Sequence, residues 1–313
     1  MKSHYQLDWK TRLLDTLLKS AKPLEQMNLD ELRATSQAAI SPFVQRVFNG
    51  KQIPVKEVVR QNIAGRKVDI PIQLYYPHQQ QYSSLILFFH GGGWVYGNFD
   101  THDRLCRRVA RDTESIVLAV DYRLAPFSKY PTALEDCYDA LLWAMDNIAT
   151  SIDLKKIIVM GDSAGGNLAA AVCLMARDKG HQFISQQVLL YPVVNGKLNL
   201  PSTEKNADAP VLTTSRMQYF VDCYADNEAD VLQPYFSPLL AENLSNLPSV
   251  LIITCEYDPL HDQAVKYAER LQEAGTEVKL LDYPQTIHGF VSFAPFCKDA
   301  LPACAEIAKF INQ

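Results

Sequence analysis

The sequence predicts an α/β fold, with eight strands in a mostly parallel, doubly wound sheet, helices on both faces and a helical cap. Three observations carry this. Short apolar runs alternate with helical stretches over most of the 313 residues. One run, Ile157-Ile158-Val159-Met160, leads straight into Gly161-Asp162-Ser163-Ala164-Gly165. Another, Leu85-Ile86-Leu87-Phe88-Phe89, leads straight into His90-Gly91-Gly92-Gly93. Short β-branched and aromatic runs that end in glycine read as buried strands stopped by a turn.

In chain order, Trp9 to Lys19 places Trp9, Leu13, Leu14, Leu17 and Leu18 on one helical face. A second helix starts at Asn28, with Glu31 three positions on as its capping-box partner. Pro42 to Phe48 reads as a short third helix. Val55–Ala64 and Lys67–Tyr76 read as two strands joined at Gly65. Further strands are expected near Leu85–Phe89, Ser115–Asp121, Lys156–Met160, Gln187–Tyr191, Ser249–Cys255 and Glu277–Tyr283. Val193 to Gln233 breaks the alternation and is too long for a plain connection. The expected organisation is therefore residues 1–50 as N-terminal helices forming part of a cap, 193–233 as a cap insertion, and 51–192 with 234–313 as one catalytic domain.

Gly-x-Ser-x-Gly between a strand and a helix is an elbow that exposes a serine hydroxyl. Bulk at Gly161 or Gly165 would collide with the turn or the neighbouring strand. The alanine-rich helix that follows directs its N-terminal N–H groups at the serine, and the N–H of Ala164 is the natural first donor to an oxyanion. Three glycines in a row after a buried strand cost chain entropy and make sense where backbone must approach a ligand closely. Together the two segments read as a serine hydrolase, with His90 shaping its own loop by local hydrogen bonding.

A serine hydroxyl needs a base, and the base needs an orienting acid. In this kind of site they follow in the order Ser, Asp or Glu, His. The strand at Val250–Cys255 runs into Glu256-Tyr257-Asp258-Pro259-Leu260-His261-Asp262, and the last strand runs into Thr286-Ile287-His288-Gly289-Phe290. Open α/β sheets keep their sites at such carboxyl ends of strands. Of the 7 histidines, His4 and His78 lie away from strand ends, His102 precedes a basic helical stretch, His181 sits in a polar loop and His261 neighbours the acid. His288 is the expected base. Asp258, stiffened by Pro259, is the expected acid, with Glu256 and Asp262 as rivals and Asp262 second choice.

These residues resemble the hormone-sensitive-lipase-like group of α/β-hydrolases. The resemblance rests on His90-Gly91-Gly92-Gly93-Trp94, Asp121-Tyr122-Arg123-Leu124-Ala125-Pro126, Gly161-Asp162-Ser163-Ala164-Gly165-Gly166-Asn167, Asp258-Pro259-Leu260 with Asp262, and His288-Gly289-Phe290. It covers the chain from about Val55 onward and the N-terminal helices more loosely. It implies the α/β-hydrolase fold, a triad of Ser163, Asp258 and His288, and an oxyanion hole from Gly92, Gly93 and Ala164. Phe127 stands where an acidic residue often follows Leu-Ala-Pro.

Met217, Phe220, Val221 and Tyr224 form an apolar stripe at helical spacing in the insertion. Most of such a stripe packs against the cap or core, while Met217 or Phe220 is a candidate lining of an acyl pocket. Trp94 and Tyr96 beside the glycine loop are comparable candidates. The expected activity is hydrolysis of short- to medium-chain carboxylic esters through an acyl-serine. A small cap without an exposed apolar anchor fits that range better than bulky fats. Amide hydrolysis uses the same constellation. Ligand binding without turnover is a further alternative, against which the presence of His288 counts.

A net charge of −5 gives no reason to expect nucleic acid as a partner, and a small-molecule ester is the expected one. No apolar run reaches the length of a membrane span, and the first residues lack the apolar stretch of a signal peptide. The 7 scattered cysteines read as buried, reduced thiols, so a cytoplasmic location is expected. No metal-ligand spacing or phosphate-cradling loop is present, no cofactor is implied, and a homodimer is left open.

Overall fold

The computed structural model describes residues 5–78, 84–150 and 154–313; His4 lies outside the described residues. Eight strands form one sheet. They are β1 (Glu57–Ala64), β2 (Asp69–Tyr76), β3 (Ser84–Phe89), β4 (Ile116–Val120), β5 (Lys156–Asp162), β6 (Ile184–Leu190), β7 (Ser249–Tyr257) and β8 (Val278–Ile287). Their spatial order is β1-β2-β4-β3-β5-β6-β7-β8. β1 and β2 form an antiparallel hairpin, and β2 pairs antiparallel with β4. All remaining pairs are parallel.

The central strands are mostly apolar because both faces are covered. Leu85, Leu87 and Phe89 of β3 join one cluster with α5 (Thr132–Ala144), α6 (Ala164–Asp178) and α9 (His261–Glu273). Ile86 and Phe88 face the other way, into a cluster with α4 (Phe99–Thr113) and α10 (Ala300–Ile311). Because β3, β5, β6, β7 and β8 all run the same way, their carboxyl ends share one edge.

Three helices precede the sheet: α1 (Trp9–Lys19), α2 (Leu29–Gln37) and α3 (Pro42–Asn49). Asp8 caps α1, Asn28 and Glu31 form the expected capping box on α2, and Ser41 caps α3 ahead of Pro42. The apolar face of α1 is only partly covered. Leu14 is buried, whereas Trp9, Leu13 and Leu17, one turn apart along a single line, face solvent. Phe43, Val44 and Val47 of α3 are exposed as well. The expectation that no apolar anchor is exposed is therefore wrong, and the substrate-size argument built on it falls away.

The segment 193–233 holds α7 (Pro201–Lys205) and α8 (Thr214–Tyr224). Met217, Phe220, Val221 and Tyr224 of α8 are all buried. Arg216 of α8 meets Glu25 of the N-terminal region at 3.3 Å. Two strands differ from their expected limits by more than two residues at one end. β6 begins at Ile184, before the polar run Ser185-Gln186-Gln187, where buried Gln186 and Gln187 donate to the carbonyls of Phe310 and Pro248. β8 continues past Pro284 to Ile287, which pairs with Tyr257 beyond a register shift in β7. Among the described residues, no helix is long and apolar enough to cross a membrane. The cysteines are free thiols, all buried except the half-buried Cys223.

Candidate active site

Ser163 sits between β5 and α6 with φ 55° and ψ −117°, a backbone conformation that L-residues rarely adopt. The turn holds it there. Its N–H donates to the Leu190 carbonyl at 2.8 Å, and its own carbonyl accepts from Asn167 N–H at 3.0 Å and Val193 N–H at 3.2 Å. A Cβ at Gly161 would overlap the Gly165 carbonyl, and one at Gly165 would overlap the Phe89 carbonyl. The elbow thus packs directly on the end of β3. Ala164 opens α6, so its N–H belongs to the first-turn donors that have no partner within the helix.

The glycine loop leaves β3 beside the elbow. Gly92 takes φ 115°, and a Cβ there would overlap the Tyr96 carbonyl. Gly93 lies against the ring of Phe220. The loop is tied to the elbow by Asp162, whose Oδ1 accepts the Gly91 N–H at 2.9 Å. The other oxygen of Asp162 lies 3.2 Å from Nε2 of His102 on α4. Burial alone would raise the Asp162 carboxyl, but pairing with His102 and the Gly91 N–H outweigh it and hold the group below the usual carboxylate range.

His90 behaves as a loop-shaping residue. Its Nδ1 lies 2.8 Å from the Gly91 carbonyl, its own carbonyl accepts the Tyr122 hydroxyl at 2.6 Å, and its ring stacks on Tyr122 at 4.3 Å. Burial pushes its imidazole down to about 4, with His102 adding to the effect.

His288 follows β8 and reaches both partners. Its Nε2 is 2.9 Å from Ser163 Oγ and its Nδ1 is 2.6 Å from Asp258 Oδ2. Asp258 is 1% exposed, and its Oδ1 accepts the Leu260 N–H at 2.8 Å. The Cys255 thiol approaches Oδ2 at 3.4 Å, and burial raises that thiol well above its ordinary value, which keeps its proton in place as a donor. Tyr191 meets the His288 ring edge-on at 4.9 Å. The rival acids are engaged elsewhere. Glu256 accepts the Gln285 N–H at 2.9 Å, while Asp262 accepts the Ser202 N–H at 2.8 Å and lies 2.9 Å from His261 Nδ1.

Side chains of the 193–233 segment hold the loop of Asp258. The Asn206 side-chain amide donates to the carbonyls of Glu256 and Asp258, both at 2.9 Å, and the Ser202 hydroxyl donates to the Pro259 carbonyl at 2.9 Å. Of the four pocket candidates, Trp94 is fully buried and stacks on Tyr224 at 4.5 Å, with Phe236 at 5.7 Å. Its positive φ of 59° directs the chain away from the strand line at that point. Met217 and Phe220 are buried on α8, and Tyr96 is half-buried. The sequence reading missed Asp162, His102, Tyr191, Asn206 and Ser202. Only Asp162 carried a signal, its place inside the elbow motif. Among the described residues no cluster of His, Cys, Asp and Glu is placed to hold a metal ion.

Comparison with known proteins agrees with this geometry. A family model of the alpha/beta hydrolase fold matches residues 86–292. An arylesterase of Saccharolobus solfataricus is 40% identical over 240 residues, covering 76% of this chain and 78% of that protein. The carboxylesterase NlhH of Mycobacterium tuberculosis is 37% identical over 297 residues, covering 91% and 92%. A solved hyperthermophilic esterase from the archaeon Pyrobaculum calidifontis superposes with a TM-score of 0.85 at 37% identity, over 96% of this chain and 97% of that one. Elbow, glycine loop and the two late loops therefore sit in a chain that belongs to the hormone-sensitive-lipase-like family of α/β-hydrolases.

Proposed function

We propose that this chain is a carboxylic ester hydrolase in which Ser163 is the nucleophile, His288 the general base and acid, and Asp258 the residue that orients the imidazole. The single observation that carries this reading is the continuous path from Ser163 Oγ to His288 Nε2 at 2.9 Å and from His288 Nδ1 to Asp258 Oδ2 at 2.6 Å. Ser163 Oγ attacks the ester carbonyl carbon and its proton passes to His288 Nε2. Asp258 fixes which ring nitrogen faces the serine and offsets the charge that develops on the imidazolium. The carbonyl oxygen becomes an oxyanion, for which the N–H groups of Gly92, Gly93 and Ala164 are the proposed donors. One such donor is worth about 3–4 kcal/mol of barrier. Collapse expels the alcohol, which takes the proton from His288. Water, deprotonated by the same histidine, then attacks the acyl-serine; the second oxyanion collapses, Ser163 Oγ leaves and takes the proton back from His288, and the acid is released.

Residues 193–233 and the N-terminal helices act in this reading as the cap. Phe220, Met217 and Tyr96 are the proposed pocket residues, and short- to medium-chain esters are the proposed substrates. The support for that range is the ring of Phe220 packed against Gly93, beside the proposed oxyanion donors. A cytoplasmic location agrees with seven unpaired cysteines. A homodimer remains compatible with this reading.

The test is Ser163→Ala. The variant keeps its circular dichroism spectrum and loses hydrolysis of a short nitrophenyl ester, along with labelling by a fluorophosphonate. Retained turnover overturns the nucleophile assignment. A rate profile over nitrophenyl esters of increasing chain length tests the acyl range.

A further inference from the structure

We infer that His102, on α4 and outside the proposed triad, is a positioning residue for the oxyanion donors, acting through Asp162. The inference rests on the esterase reading above and adds a role that the hydrolase motifs do not name.

The geometry is a relay from one end of α4 to the glycine loop. Asn98 caps α4, with its side-chain oxygen accepting the N–H groups of Asp100 and Thr101. The Thr101 hydroxyl oxygen lies 2.7 Å from the Asn98 carbonyl oxygen and 2.7 Å from His102 Nδ1, so its single proton is shared between these two acceptors. His102 Nε2 lies 3.2 Å from Asp162 Oδ2, and Asp162 Oδ1 accepts the Gly91 N–H at 2.9 Å. A carboxylate has only acceptors, so Nε2 is the protonated nitrogen and donates. Helix, imidazole, carboxylate and loop amide are thus joined end to end.

The position of Asp162 gives the relay its consequence. It is the residue immediately before Ser163, and it is buried. One dipeptide therefore carries the attacking oxygen and also the anchor of the loop that receives the oxyanion. Any rotation of the Asp162 carboxylate moves Gly91, and with it Gly92 and Gly93, relative to Ser163 Oγ. A buried carboxylate with one lone-pair set unmet is free to rotate toward another donor. His102 removes that freedom by occupying Oδ2. No other side-chain donor to Oδ2 is present among the described residues. Displacement of a reacting group by about 1 Å costs on the order of 100-fold in rate, so the relay acts on kcat and not on substrate affinity.

The experiment compares His102→Leu, His102→Gln, Asp162→Asn and the double variant His102→Leu/Asp162→Asn on a short nitrophenyl ester. The glutamine amide can reach Asp162 in place of Nε2, so it is the conservative replacement. His102→Leu is expected to lower kcat about 10- to 100-fold with KM within about threefold, and to weaken a trifluoromethyl ketone, which mimics the oxyanion, by a similar factor. His102→Gln is expected to recover most of both losses. The double variant should lose no more than the poorer single one, because both changes break one connection. An unchanged kcat in a folded His102→Leu protein overturns the inference. So do equal losses in the Leu and Gln variants, or single-variant losses that multiply in the double. If His102→Leu does not fold, the Gln and Asn variants decide it: the inference requires near-normal kcat in the first and a kcat-only loss in the second. A wild-type protein that hydrolyses no ester would instead overturn the esterase reading.

Discussion

The carboxylate of Asp258 lies 2.6 Å from Nδ1 of His288, although 30 residues separate the two in the chain. Its second oxygen is held by the Leu260 N–H at 2.8 Å, so the group has one orientation available. Asp258→Asn should therefore keep the fold and lose the tautomer control, with kcat falling on the order of 10³- to 10⁴-fold. Asp262→Asn, which alters the contact to Ser202, should leave kcat within a few-fold. Steady-state rates on one nitrophenyl ester, with circular dichroism as the fold check, separate the two. Equal losses would place the acid elsewhere.

Ser163 offers a second measurement through its backbone. Its φ of 55° is held against an intrinsic preference, at a cost of order 1–3 kcal/mol. Ser163→Gly should relieve that strain. We expect Ser163→Gly to be inactive and more stable than Ser163→Ala by about 1 kcal/mol in denaturant unfolding. A glycine variant no more stable than the alanine one would mean that the elbow stores no strain.

His261 provides a pH-dependent contribution. Hydrogen bonding to Asp282 at 3.3 Å, and to Asp262 at 2.9 Å, raises its imidazole from the ordinary 6.5 to about 9 despite partial burial. A raised folded-state value means that the stabilisation is complete below about pH 6.5 and is lost as pH climbs through about 9. Asp282 is half exposed, so the contribution is discounted to about 1 kcal/mol. Thermal midpoints should fall between pH 7 and 10 in the wild type and change less over that window in His261→Gln. Parallel curves would assign the alkaline loss to another group.

Phe220 is the proposed pocket residue whose placement makes a quantitative expectation. Its ring fills the space next to Gly93, so Phe220→Leu should open depth beside the loop. We expect kcat/KM for a medium-chain nitrophenyl ester, relative to the acetate, to rise by roughly tenfold, the worth of one or two methylenes in an apolar pocket. An unchanged chain-length profile would place the acyl group elsewhere.

The parts of this molecule that were legible in the sequence are those written in consecutive residues. The runs Leu85–Phe89 and Ile157–Met160 are apolar throughout because both their faces are buried, and each is followed within two residues by glycine where the backbone must turn closely. Ser163, Asp258 and His288 stood out as candidates because each follows a strand, and parallel strands deliver their carboxyl ends to one edge, where the three side chains lie within hydrogen-bond distance. What was not legible depends on through-space partners. The last residues of β8 include Pro284, Gln285 and Thr286, whose composition reads as a turn, yet they pair beyond a shift in the neighbouring strand. The stacking of Trp94 on Tyr224, 130 positions later, is a contact of this kind. Asp262 resembles a catalytic acid until Ser202 is placed beside it. The outward line of α1 is invisible to periodicity, which identifies an apolar face without saying how much of it finds cover.

The hold of Asn206 and Ser202 on the carbonyls of Glu256, Asp258 and Pro259 has a consequence for redesign. Swapping residues 193–233, the proposed cap, for the segment of a relative would also remove the contacts that hold the Asp258 loop. Such chimaeras should fail through a misaligned aspartate even when their new entrance is well shaped. Grafts that retain those two side chains and vary only the stretch after them are the ones expected to work.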